Sequence, residues 1–173
     1  MNEKEAIDLL KHYRHTFSNH LQLITSYAQM GKLERVQEKS AELIKILTED
    51  QQFQNMPLPK TIVTLMQLNH EKSGLEWKPI VQLDDQPRVD DQQLTELIQS
   101  IHQLILDQSV NLMLYHGTIK FQQLKNQPFQ LQITCQGTFN KIEQLKTALL
   151  TLDKDIRIEN ATEERFIFNW TAQ

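Results

Sequence analysis

The chain has 173 residues, of which 39% are apolar and 23% charged, and a formal net charge of −4. That is the balance of a globular protein of one domain or two small ones, long enough to bury a core. Its four glycines, Gly31, Gly74, Gly117 and Gly137, are spread along the chain with no two closer than twenty positions, which excludes the clustered glycines of P-loop, dinucleotide and kinase-type phosphate cradles. Cys135 is the single cysteine, and the opening MNEKEAIDLL has no apolar signal core, so a reducing cytoplasm is the expectation. No stretch nears the roughly 18 uninterrupted apolar residues of a membrane span. The acidic total weighs against general nucleic-acid binding.

Between Glu3 and Asn55 there is no proline and one glycine, and apolar residues recur at three and four. This predicts two helices, near 3–30 and 33–54, broken at Gly31-Lys32 and therefore folded back as an antiparallel hairpin. Pro57-Leu58-Pro59 marks a boundary, which divides the chain into 1–56 and 57–173. Beyond it the pattern predicts a helix near 60–72 closed by Gly74, then a strand through Leu75, Trp77, Ile80, Val81 and Leu83. Pro79 makes that strand an edge or a bulged one.

A strong helix is expected from about Asp91 to Leu114, capped by Asp90 or Asp91, with Leu94, Leu97, Ile98, Ile101, Leu104 and Ile105 on one side. Thr118–Leu124 and Phe129–Cys135 read as a hairpin joined at 125–128. A helix near 139–151 and two strands, Ile156–Glu159 and Arg165–Trp170, complete an α+β unit. Trp77, Trp170, Phe121 and Phe129 are its expected core, Cys135 is structural, and Asp84-Asp85 with Asp90-Asp91 serve turn and cap. A two-helix hairpin exposes the outer edges of both apolar stripes, so it must find a partner. Self-association into a four-helix bundle, a homodimer, is the economical solution.

Ala6, Leu10, Tyr13, Phe17, Leu21, Ile24 and Ala28 fall within about an 80° sector of the first helix at about 100° per residue. His15 lies on the opposite side with Lys11, Ser18, Gln22 and, slightly aside, Asn19. From Leu9 to Leu33 there is no Asp or Glu, while Lys11, Arg14 and Lys32 are positive. With +3 in that tract and −4 overall, the remainder carries −7. An exposed neutral imidazole on a basic helix face can attack a phosphoryl group, and Arg14 and Lys11 can stabilise its charge. The bland alternative is an ordinary solvated face that meets an acidic neighbour. His12 and His15, at i and i+3, lie in a stretch from Leu9 to Leu33 without cysteine or carboxylate, so no metal site is expected. His20, at the edge of the stripe, reads as a packing or interface residue.

The run Arg14-His15-Thr16-Phe17-Ser18-Asn19-His20-Leu21-Gln22-Leu23-Ile24 resembles the R-H-D-x-x-N-x-L-Q-x-I box of the sporulation initiation phosphotransferase B family and of related citrate-type sensor histidine kinases. Tyr27-Ala28-Gln29-Met30-Gly31-Lys32-Leu33-Glu34 resembles the family's break between its two helices. The resemblance implies that His15 is a phosphorylated histidine, with Arg14 its basic neighbour and Asn19 an amide one turn later; together with Lys11, Ser18 and Gln22 of the same face they make up the expected phosphoryl- and receiver-binding surface. It implies a dimer of two hairpins in a four-helix bundle, whose expected core is Tyr13, Phe17, Leu21 and Ile24 of the apolar stripe. It also implies phosphoryl transfer between the aspartates of response-regulator receiver domains, with Mg²⁺ carried by the receiver and not by this chain.

The departure is Thr16, which stands where the family has an acidic residue. Without that carboxylate, autophosphorylation from ATP is disfavoured, while transfer from an aspartyl phosphate depends less on it. The second part resembles a histidine-kinase ATPase domain, an α/β sandwich, that has lost its site. Leu104-Ile105-Leu106-Asp107-Gln108-Ser109 stands at an N-L-L-D-N-A-like box with Gln108 at the metal-binding asparagine. Thr134-Cys135-Gln136-Gly137 stands at a nucleotide box without its acid, so ATP binding is not expected. The second reading is a non-catalytic docking module of the same fold.

Overall fold

The computed structural model describes residues 2–71, 73–109 and 113–172. The chain divides into two compact units, Met1–Asn55 and Met56–Gln173.

In the first unit, α1 (Glu3–Gln29) and α2 (Leu33–Gln54) form the hairpin. Asn2 opens α1 with a capping box: its side chain accepts from Glu5 N at 2.9 Å and its own N–H donates to the Glu5 carboxylate at 2.9 Å, which satisfies orphan donors of the first turn. The chain reverses at Gly31, where φ is +67°, a left-handed conformation that favours glycine. Leu9, Leu43 and Phe53 are buried. His20, Ile24 and Tyr27 of α1 and Val36, Ser40 and Ile46 of α2 are half-buried along the seam.

The second unit comprises α3 (Pro59–His70), β1 (Leu75–Leu83), α4 (Asp91–Asp107), β2 (Tyr115–Gln123), β3 (Gln130–Gln136), α5 (Ile142–Leu152), β4 (Ile156–Ala161) and β5 (Arg165–Thr171). The strands form one mixed sheet in the order β1-β2-β3-β5-β4, with β1 parallel to β2 and the other neighbours antiparallel. One face of the sheet is buried, through Trp77, Tyr115, Ile119, Phe121, Leu131, Ile133, Cys135, Phe166, Phe168 and Trp170. Leu94, Ile98, Ile101 and Ile105 of α4 complete this core, and Phe129 is buried with them. Leu104, expected on the same side, is half-buried at a groove between α4 and α5.

β1 is an edge strand, as Pro79 requires. The Trp77 N–H and C=O do not enter the ladder to β2; both pair at 2.8 Å with the side-chain amide of Asn69, from α3. Pro79 shares the parity of Trp77, so its missing N–H faces the same outer edge and no ladder bond is lost.

Three boundaries differ from expectation by three residues or more. α4 ends at Asp107 rather than continuing to Leu114; of the expected extension, 110–112 lie outside the described residues. Ser109 instead pairs with Phe139 as an isolated bridge. Phe139 also donates its N–H to Glu163 O at 2.8 Å, so it cannot begin the last helix, and α5 starts at Ile142. β2 begins at Tyr115, three residues early, because Tyr115 N bonds Gly74 O at 2.7 Å and Gly117 pairs with Trp77 and Cys135. Gly117 is there because the Trp77 ring lies against its Cα, where a Cβ would collide.

Asp90 caps α4 by accepting from Gln93 N at 2.8 Å. Asp91 does something else: its carboxylate accepts from Lys60 N at 2.8 Å, Thr61 N at 3.0 Å and the Thr61 hydroxyl at 2.8 Å. It thereby caps α3, whose own N-cap position is Leu58.

Candidate functional site

α1 holds its candidate residues on one uninterrupted helix from Glu3 to Gln29. Lys11, His12, Arg14, His15, Thr16, Asn19 and Gln22 are exposed and Ser18 is half-buried. The Asn19 amide nitrogen lies 3.4 Å from His15 Nε2. An amide nitrogen only donates, so as a hydrogen bond this contact requires the tautomer protonated on Nδ1. Lys11 pairs with Asp8 at 3.0 Å across one turn, an exposed pair that leaves the ammonium available at little cost. Arg14 is the full positive charge next to His15 in sequence.

Tyr13, Phe17 and Leu21, the expected dimer core, are 38%, 41% and 45% exposed in the single chain. Leu10 shares their side. Ile24 is half-buried at the hairpin seam, so it contributes first to the contact within one chain. On α2 the sequence pattern left Ile44 and Leu47 unassigned, yet both are exposed.

Helical geometry places these residues together. From the seam, Leu10, Phe17 and Leu21 are turned by about 60–100° and Ile44 and Leu47 by about 50–110°, in the same rotational sense. In two antiparallel helices the same sense means the same side. The hairpin therefore presents one apolar face built from both helices, with His15 turned away from it.

The hairpin's other flank is polar. On α2, Arg35 pairs with Glu38 at 2.6 Å and Lys39 with Glu42 at 2.5 Å. The Lys39 ammonium holds the Glu42 carboxyl below its usual range. Burial, and then the Asp50 carboxylate, push the Tyr13 phenol up, and burial followed by Glu49 raises Asp50. The field between Tyr13 and Asp50 is that expected where the start of α1 lies beside the end of α2.

Around Gly137 the second unit is packed with side chains. The Tyr115 hydroxyl donates to Thr138 O, and its ring lies 5.4 Å from that of Phe139. Both residues are fully buried. A Cβ at Gly137 would strike Tyr115, so the glycine there admits the tyrosine ring. Gln108 Oε1 is buried with no partner among the described residues, and Cys135, with its thiol pushed up to about 12 by burial, is inert packing. The groove between α4 and α5 is lined by Ser100, Gln103, Leu104, Ala148, Thr151 and Leu152, none of them titratable.

Among the described residues there is no group of three His, Cys, Asp or Glu placed to hold a metal, and no helix is long and apolar enough to cross a membrane.

Residues 1–56 match the family model of the sensor kinase SpoOB-type alpha-helical domain. The match spans the hairpin and about a third of the chain. No curated protein matches the chain. Among solved structures, the blue-light activated histidine kinase EL346 of Erythrobacter litoralis is similar at 12% identity and a TM-score of 0.48, over 99% of this chain and 60% of that one. The histidine kinase domain of the same protein is similar at 8% identity and a TM-score of 0.41, over 89% and 93%. This chain thus spans 60% of the length of the first of these.

Proposed function

We propose that this protein is a dimeric phosphorelay histidine phosphotransferase that passes a phosphoryl group between receiver aspartates through His15. The observation that carries the reading is His15 itself: exposed, with Nε2 3.4 Å from the Asn19 amide nitrogen, on a helix free of Asp and Glu from Leu9 onward, within a SpoOB-type hairpin. In the forward step the Asn19 amide swings off Nε2, Nε2 attacks the phosphorus of the aspartyl phosphate, the P–O bond to the carboxylate breaks, and the receiver aspartate leaves as its anion. The ring keeps its Nδ1 proton and now bears the phosphoryl group on Nε2. The second transfer reverses these bonds on another receiver.

Arg14 and Lys11 offset the phosphoryl charge, and the receiver supplies the divalent cation. Two hairpins close their apolar faces into a four-helix bundle, leaving each His15 on the outside. ATP takes no part in this proposed cycle, in which the phosphoryl group comes from and returns to receiver aspartates.

Thr16 favours a second reading, a docking module that binds receivers without accepting phosphate, since no carboxylate stands beside His15 in sequence. Incubation with phosphorylated receivers and Mg²⁺ separates the two. Acid-labile label on the wild type and none on His15→Gln supports transfer; absence of label on a folded dimer supports docking alone.

A further inference from the structure

Elements α3, β1, β2 and α4 of the second unit meet at Trp77. Its backbone N–H donates to Asn69 Oδ1 and its C=O accepts from Asn69 Nδ2, both at 2.8 Å, which ties the outer edge of β1 to α3. Its ring, 2% exposed, lies across β2 against the Cα of Gly117. Its indole N–H donates to Nδ1 of His102, on α4, at 2.9 Å. An indole nitrogen only donates, so this bond requires an unprotonated Nδ1 and leaves the proton of the neutral ring on Nε2, 3.3 Å from the Ser73 hydroxyl. A second proton can go only to Nδ1, where it would set one N–H against another.

We infer that His102 is an acid-operated latch: unprotonated, it holds Trp77 and the outer edge of β1 against α3 and α4, and protonated, it lets this corner open. His102 is buried, and the charged groups of the surrounding elements are directed elsewhere. On β1, Glu76 and Lys78 alternate with Trp77 onto the opposite face of the sheet. On α4, Glu96 and Asp107 are exposed and turned about 120–140° from His102. At the end of α3, His70 is turned about 100° from Asn69 and Glu71 is exposed. On α5, which sends Leu145 and Leu149 into the core, Lys146 pairs with Glu143. Burial holds the imidazole below its ordinary value of 6.5. The proton is therefore taken up with Trp77 displaced and His102 in water, where the ring titrates near 6.5. While the closed corner stays unprotonated, the open form gains on it by about tenfold between pH 7.5 and pH 5.5. The input is acidification; the output is exposure of Trp77 and of the edge backbone groups that Asn69 otherwise covers.

The test follows hydrogen exchange of the Trp77 indole N–H by NMR in the full chain between pH 7.5 and pH 5.5, for the wild type and His102→Asn. Each rate is divided by that of an unstructured tryptophan peptide at the same pH. Trp77 and Trp170 are the two tryptophans, so Trp77→Phe assigns the resonance. The Asn side-chain oxygen can accept the indole N–H without titrating, and His102→Gln replaces it where His102→Asn does not fold. The normalised rate should rise about tenfold in the wild type and stay within about twofold in the variant. Repeating the series in about 1 M urea separates the latch from loss of the whole fold: a local opening exposes little surface and should respond less than about twofold, global unfolding about fivefold or more. A wild-type rate that is flat with pH overturns the inference without recourse to any variant. A rise that persists when His102 is replaced overturns it by placing the proton elsewhere, and a rise that climbs with urea as steeply as unfolding overturns the local opening.

Discussion

Phe17→Asp should separate the two protomers without unfolding either hairpin. Phe17 is 41% exposed on the apolar face shared with Leu10, Leu21, Ile44 and Leu47, so the substitution leaves the seam within one chain intact. Covering the exposed part of Phe17 removes on the order of 80 Å² from water, worth about 2 kcal/mol at about 25 cal/mol per Å². A two-fold interface carries every substitution twice, and each carboxylate must also be buried without a partner or stay in water and hold the face open. The combined loss is at least about 4 kcal/mol, a weakening of the dimer by about a thousandfold. Sedimentation across a concentration series, with far-ultraviolet dichroism to follow helix content, measures both halves of the expectation. A Phe17→Asp protein that sediments as a dimer with wild-type affinity would refute the assignment of this face.

Two further substitutions and conditions bear on the second unit. Asp91→Ala removes three bonds to the first turn of α3 and should cost about 2 kcal/mol in urea unfolding, with Asp91→Asn intermediate; a change below about 0.5 kcal/mol would mean that water caps the helix equally well. His102 accepts the Trp77 indole N–H on Nδ1 at 2.9 Å and lies 3.3 Å from the Ser73 hydroxyl through Nε2, and burial holds its imidazole below the ordinary value of 6.5. The unfolded chain therefore binds a proton that the folded one refuses. Stability from this site is whole above about pH 6.5 and declines as pH falls through and below it. His102→Gln should flatten that part of a stability–pH curve, and an unchanged slope would remove His102 as its source.

The hairpin is legible in the sequence because both of its determinants are local: apolar spacing along each helix, and one glycine where a left-handed residue is needed. The apolar face is only half legible. A wheel drawn for one helix finds Phe17 and Leu21, but Ile44 and Leu47 gain meaning only when the second helix lies antiparallel beside the first. The same limit explains Ile24, which the wheel assigns to the dimer core and the seam within one chain half-buries first.

In the second unit, alternation locates the strands, and the misplaced ends have non-local causes. Gly117 weakens any strand signal, yet it is the residue that lets Trp77 cross β2. Phe139 reads as the start of a helix until the bridge to Ser109 and the bond to Glu163 claim its backbone. Asp91 reads as a cap for its own helix and instead caps one thirty residues earlier, an arrangement that no local pattern encodes. At the candidate site, the exposure of His15 follows from helical spacing alone.

The most direct test of the central claim is phosphoryl transfer from a phosphorylated receiver domain, in Mg²⁺, to the wild-type dimer and to His15→Gln. Acid-labile, base-stable label on the wild type, lost in His15→Gln while the variant remains a dimer, is the expected result. A folded wild-type dimer that takes up no label from a panel of receivers, or a His15→Gln variant labelled as well as wild type, would contradict it.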